Sequence, residues 1–171
     1  PLPLHDALPI SVTREFDVPS KSFVTDGFNL PEAKGGATFI DRDTVFVNTD
    51  FGEGSMTESG YPRIAKVWKR GQPLDQAETV FEGKFEDIGV FATVIRTPER
   101  DYPMVIVAPT FFTNRYYLRD GDELKRVPLP EDADLEAIFR NQLLIGLKSD
   151  WDHDGRTWKQ GTLVSVDLDE F

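Results

Sequence analysis

Asp150, Asp152, Asp154 and Gly155, within SDWDHDGRTWKQG at residues 149–161, follow the D-x-D-x-D-G opening of a calcium loop, where alternate carboxylates converge on a hard cation. Such a loop closes on a bidentate Glu at its twelfth position. Here that position is Gly161, and neither flank reads as a helix. The set is short of oxygens, so the plainer reading is a hairpin loop with solvated acids, anchored by Trp151 and Trp158. Ser55 is the second candidate, as a nucleophile, but a nucleophile elbow needs G-x-S-x-G and the residue two before Ser55 is Glu53. A general base is poorly supplied as well, since the two histidines are His5, in an irregular leader, and His153, in a loop.

Two charge clusters complete the candidates. Arg63, Lys66, Lys69 and Arg70 could meet a peptide carboxylate or another domain, yet strand alternation splits them between two faces and a solvated strand end accounts for them. Glu82, Glu86 and Asp87 read as surface acids, not as a paired acid and base. The sequence therefore assigns no catalytic, cofactor-binding or metal-ligating residue, and expects no cofactor.

These candidates sit in a chain of 171 residues with a formal net charge of −11, a sign that repels phosphate backbones and anionic lipid. Neither nucleic acid nor membrane is an expected partner, and no apolar run approaches the length of a membrane-spanning helix. Cysteine is absent, which excludes disulfides and thiolate chemistry without fixing a compartment; a cytoplasmic location is favoured over a periplasmic one. Thirteen Gly and twelve Pro favour a turn-rich, β-rich fold. The first Met is Met56, and the chain is expected to be a fragment.

The elements that must position any site are short strands. Residues 39–82 hold three β-branched runs, at 44–47, 64–68 and 78–81, joined by Gly-, Pro- and Ser-rich connections. Residues 1–10, with three Pro, read as an irregular or foreign leader, and 11–171 as one domain. An outer strand is expected at 11–18, and a hairpin joining 22–24 to 28–30 about Asp26-Gly27. A second hairpin joins 37–40 to 44–49. The connection at 51–62 is long enough to be a contact loop, and a solvated hairpin loop is the blander reading. Further strands are expected at 63–69, 79–82, 88–97, 104–117, 123–129, 142–148 and 162–168. A helical turn is expected at 74–78, and one α-helical turn or two at 134–140, capped by Asp134.

Similar short strands recur at Phe16, Val80, Val127 and Val166, 64, 47 and 39 residues apart. Blades of a β-propeller repeat at that scale; a β-sandwich with irregular loops meets the spacing equally.

A resemblance separates the two. NTDFGEGSMTESGYPR at 48–63, with VWKRGQPL at 67–74 and ETVFEG at 78–83, resembles the N-terminal β-propeller domain of the prolyl oligopeptidase family of serine peptidases, in a bacterial branch. The likeness covers roughly residues 14–169, including 27–33, 111–117, 144–151 and 161–168, and leaves out 1–10. It implies an all-β partial propeller, about two to three four-stranded antiparallel blades of a seven-bladed ring. It further implies that a Ser-His-Asp triad lies outside this chain, in a C-terminal α/β-hydrolase domain that would be its partner along with peptide substrate. The propeller would gate substrate access, and the chain alone would hydrolyse nothing. The alternative is a non-enzymatic β-propeller module that binds peptide or protein. Strand edges at 11–18 and 162–168 would be open to association.

Overall fold

The computed structural model describes residues 10–169; the leader expected at 1–10 lies outside them except for Ile10. The described chain is all-β, with one 3₁₀ turn at Leu74–Gln76 where a helical turn was expected. It divides into two compact units, one ending at Thr93 and the other beginning at Val94.

The first unit opens on β1 (Ser11–Arg14), β2 (Phe16–Asp17), β3 (Ser22–Phe23) and β4 (Asn29–Ala33). A four-stranded antiparallel meander follows in the order β5 (Gly36–Asp41), β6 (Thr44–Asn48), β7 (Ile64–Lys69) and β8 (Glu78–Glu82). Four consecutive strands in spatial order make one blade. Strand β6 is buried from Val45 to Asn48, because its apolar run faces packing on both sides. Val45, Val47 and Trp68 share a core with Phe28 and Leu30, so the β1–β4 segment covers this sheet.

The expected strand at 11–18 is broken at Glu15, and the expected hairpin about Asp26-Gly27 is replaced. Strand β2 pairs with β3, while β1 pairs with β4. Glu15 causes the change. Its backbone N–H donates to Phe28 O, its carbonyl accepts from Val24 N, and its carboxylate accepts from Phe28 N at 2.9 Å. Glu15 therefore sits between the two segments that would have paired. Arg70 locks it with two hydrogen bonds, at 2.9 and 3.0 Å, which hold the Glu15 carboxyl below the usual carboxylate range.

The unit boundary falls inside β9 (Gly89–Arg96), whose sheet continues through β10 (Asp101–Thr110), β11 (Thr113–Asp120) and β12 (Glu123–Arg126). The apolar stretch 104–117 is thus two strands folded at Phe111-Phe112. The second unit also holds a three-stranded sheet of β13 (Asp134–Phe139), β14 (Gln142–Gly146) and β17 (Leu163–Asp167). Between β14 and β17 stands a small hairpin, β15 (Trp151–His153) with β16 (Arg156–Trp158). Tyr102, Met104 and Tyr116 of one sheet and Leu143, Ile145 and Val164 of the other form one core.

The helical turn expected at 134–140 is strand β13. Its register against β14 slips between Leu135 and Ala137, so two core-facing residues, Leu135 and Ile138, fall three apart and mimic helical spacing. The strand ends at Arg140 and Asn141, both with positive φ (50° and 63°), the backbone of a primed hairpin turn.

The propeller expectation from spacing is met in part. Val80 and Val127 follow or lie in the outer strands of consecutive four-stranded sheets, β8 and β12, and their separation of 47 is one blade. Val166 lies instead in the third strand of its sheet, and Phe16 in the short β2–β3 pair, so the other two intervals are not blade repeats.

Candidate functional site

The loop at 51–62 exposes Gly52, Glu53, Gly54, Glu58 and Ser59 to solvent and is tied together beneath them by its own hydrogen bonds. Asp50 accepts from Gly52 N at 2.8 Å, and Ser55 Oγ accepts from Phe51 N at 2.8 Å with Gly52 O and Asp50 Oδ1 as acceptors at 2.6 and 3.0 Å. Thr57 closes the second half: its N–H donates to Tyr61 O and its hydroxyl to Ile88 O. Ser55 and Thr57 are buried, and a bridge between Met56 and Pro62 zips the base. Arg63 then staples the loop to its strand, donating through Nε to Gly54 O at 2.9 Å and through Nη1 to Glu82 Oε1 and Gly83 O at 2.7 and 3.0 Å. A loop with this many internal bonds presents Tyr61 in one fixed position.

Tyr61 and Phe91 meet edge to face at 6.1 Å and form one wall of a cleft of about 330 Å³. Lys34, Gly35 and Gly36 also line it. Asn48 is a further lining residue: its Nδ2 donates to Ile64 O at 2.9 Å and its Oδ1 accepts from Ala92 N at 2.8 Å. Gly35 is required by the close approach, because its φ is +140° and a Cβ there would lie 2.1 Å from Asn48 O. Lys34 Nζ lies 4.0 Å from the Tyr61 ring centroid and has no hydrogen-bond partner among the described residues.

The residues first singled out for chemistry are not brought together. Ser55 is 2 % exposed and engaged by the loop's own backbone, so its hydroxyl serves the loop. His153 stacks on Trp151 at 4.6 Å beside Asp154. Of the calcium-like acids, Asp150 accepts from Lys159 Nζ and Gln160 N, and that ammonium holds its carboxyl below the usual range. Asp152 accepts from Thr157, and Asp154 projects into solvent at the turn. Trp151 and Trp158 pack against the core of their unit. Among the described residues no group of three or more His, Asp or Glu is arranged to hold a metal.

The basic cluster is dispersed too. Arg63 holds the loop, Arg70 holds Glu15 and Asp43, and Lys66 lies over the Phe51 ring at 4.4 Å. Glu82 pairs with Arg63, Asp87 is buried and caps Lys84 N, and Glu86 is exposed. Sequence reasoning missed Lys34 and the cleft. The one available signal was Lys-Gly-Gly at the start of a strand.

No family model matches the chain. It is 35 % identical over 164 residues to an uncharacterized peptidase of Sinorhizobium fredii, an alignment covering 92 % of this chain and 23 % of that protein. It is 27 % identical over 167 residues to an uncharacterized peptidase of Rickettsia prowazekii, covering 90 % and 23 %. The structure of a post-proline cleaving enzyme from Rickettsia typhi superposes with a TM-score of 0.86 at 27 % identity, covering 94 % of this chain and 25 % of that one. The resemblance to the prolyl oligopeptidase family holds. The described sheets are accordingly a partial propeller of that family's kind, and the chain spans about a quarter of the length of the relatives it matches. Among the described residues no helix is long and apolar enough to cross a membrane.

Proposed function

We propose that this chain is part of the substrate-gating propeller of a longer prolyl-oligopeptidase-like serine peptidase, one that docks on an α/β-hydrolase domain carrying the Ser-His-Asp triad. The likeness of nearly the whole chain to a post-proline cleaving enzyme supports this reading most strongly. The local chemistry agrees, since Ser55 is consumed by loop hydrogen bonds and His153 stands against a tryptophan. The rigid loop at 51–62 would be a contact with the hydrolase domain or the channel mouth, and its role would be to admit substrate, not to react with it.

Gating is tested by substrate size. The longer protein should cleave a short proline-containing peptide and leave the same sequence uncut when it is displayed in a loop of a folded protein. Equal kcat/KM for the two forms, after correction for access to the loop, would contradict a gating propeller.

A further inference from the structure

Phe111 and Phe112 form the two-residue turn between β10 and β11, and they are 76 % and 80 % exposed. Neither ring belongs to either hydrophobic core. The turn is nonetheless held in one shape: the Thr110 and Thr113 hydroxyls share a hydrogen bond of 2.7 Å, and Phe112 N donates to Thr110 Oγ1 at 3.1 Å. Two adjacent aromatic side chains are thus presented to water on a fixed stem, which is unfavourable in solvation and contributes nothing to the packing beneath it.

The chemistry around the tip is that of a dry contact. Residues 102–114 carry no charged side chain, in a chain whose charged residues make up 29 %. Depletion of charge with enrichment in aromatic residues marks the centre of a protein interface. The nearest cation along the strand, Arg115, is bonded to Glu131 at 2.7 Å, so nothing at the tip draws a chain of net charge −11 to an anionic lipid surface.

Size decides among protein partners. Two phenylalanine rings bury roughly 300–500 Å², whereas a stable association between separate molecules takes about 800 Å² from each partner. The tip alone is too small to hold a second copy. It is large enough where its receptor is tethered to it, because linkage supplies the effective concentration that a small contact lacks. Most of a protein like the relatives lies outside these residues, since the chain spans about a quarter of their length.

We propose that Phe111 and Phe112 are a latch: both rings insert into an apolar pocket in the part of the longer protein outside residues 1–171 and hold their sheet against it. The proposal rests on the reading above that this chain belongs to a longer protein, and it adds the residues through which the chain docks.

The test is photo-cross-linking in the longer protein carrying Phe112→p-benzoylphenylalanine, which keeps an aromatic side chain at the tip, with Phe111→p-benzoylphenylalanine as a second position. The expected product is an intramolecular cross-link from the tip to a peptide outside residues 1–171, found in the monomer band. A second measurement is hydrogen exchange in the longer protein with Phe111→Ser and Phe112→Ser together. Amides of the cross-linked segment should exchange about ten-fold faster, while those of Tyr102 and Met104, in the core of the unit, stay as they were. Cross-linking to a second copy, cross-linking to an added proline-containing peptide, no cross-link from either position, or exchange outside residues 1–171 unmoved by the double substitution would each overturn the latch. Neither readout needs catalysis, so a longer protein that hydrolyses no peptide leaves the latch standing, and a latch that fails leaves the peptidase reading to its own test.

Discussion

Gly35→Ala is expected to lower stability by about 3 kcal/mol or more, read as a shift in the denaturant midpoint at unchanged slope. Two costs act together. The backbone at φ +140° is strained for any residue with a Cβ, and that Cβ would stand 2.1 Å from Asn48 O and 2.8 Å from Thr49 Cα, both backbone atoms that cannot swing away. Gly36→Ala is the internal control. Its Cβ meets nothing within 4 Å and its φ is ordinary, so the substitution should be neutral or stabilise slightly by restricting the unfolded chain. If the two substitutions cost the same, the close approach of the 34–36 segment to β6 is wrong, and with it the lining of the cleft.

Asn48→Ala should cost about 3 kcal/mol, since it removes two hydrogen bonds at a buried side chain and takes away the partners of the Ile64 carbonyl and the Ala92 amide together. The effect has a local signature. Exchange of the Ala92 amide should accelerate more than that of amides in β6, because Asn48 Oδ1 is its acceptor. Asn48→Asp should not restore stability: it keeps an acceptor for Ala92 N but sets a carboxylate against the Ile64 carbonyl, where a donor stood. Full recovery by Asp would mean that the bond to Ile64 O carries nothing.

How much was legible in the sequence depended on how local the cause was. The hairpin of β5 and β6 was readable because two β-branched runs flank Asp41-Arg42-Asp43, and the structure pairs them as expected. Strand β7 was readable for the same reason. The Asp26-Gly27 hairpin failed because its competitor is distant: Arg70, fifty-five residues along the chain from Glu15, fixes the carboxylate that separates the two segments. Strand β13 was misread because a bulge shifts its phase, and a bulge is decided by the partner strand.

The site was the least legible part. The residues with suggestive types, Ser55 and the acids at 150–154, turned out to serve turns and loop closure, where Ser and Asp are favoured for their short hydrogen-bonding side chains. The cleft is made mostly of residues with no chemical signature of their own, two glycines, a proline and two aromatic rings from separate strands and loops. The loop that carries the resemblance at 48–63 is bonded through the side chains of Asn48, Asp50, Ser55, Thr57 and Arg63, so at those positions its sequence and its shape are tied.

The most direct measurement is covalent labelling of the longer protein with a serine-directed fluorophosphonate, followed by mass-spectrometric mapping of the modified peptide. The account predicts a single modified serine outside residues 1–171, with labelling retained in Ser55→Ala. A modified serine within these residues, or labelling lost in Ser55→Ala while the protein stays folded, would contradict it.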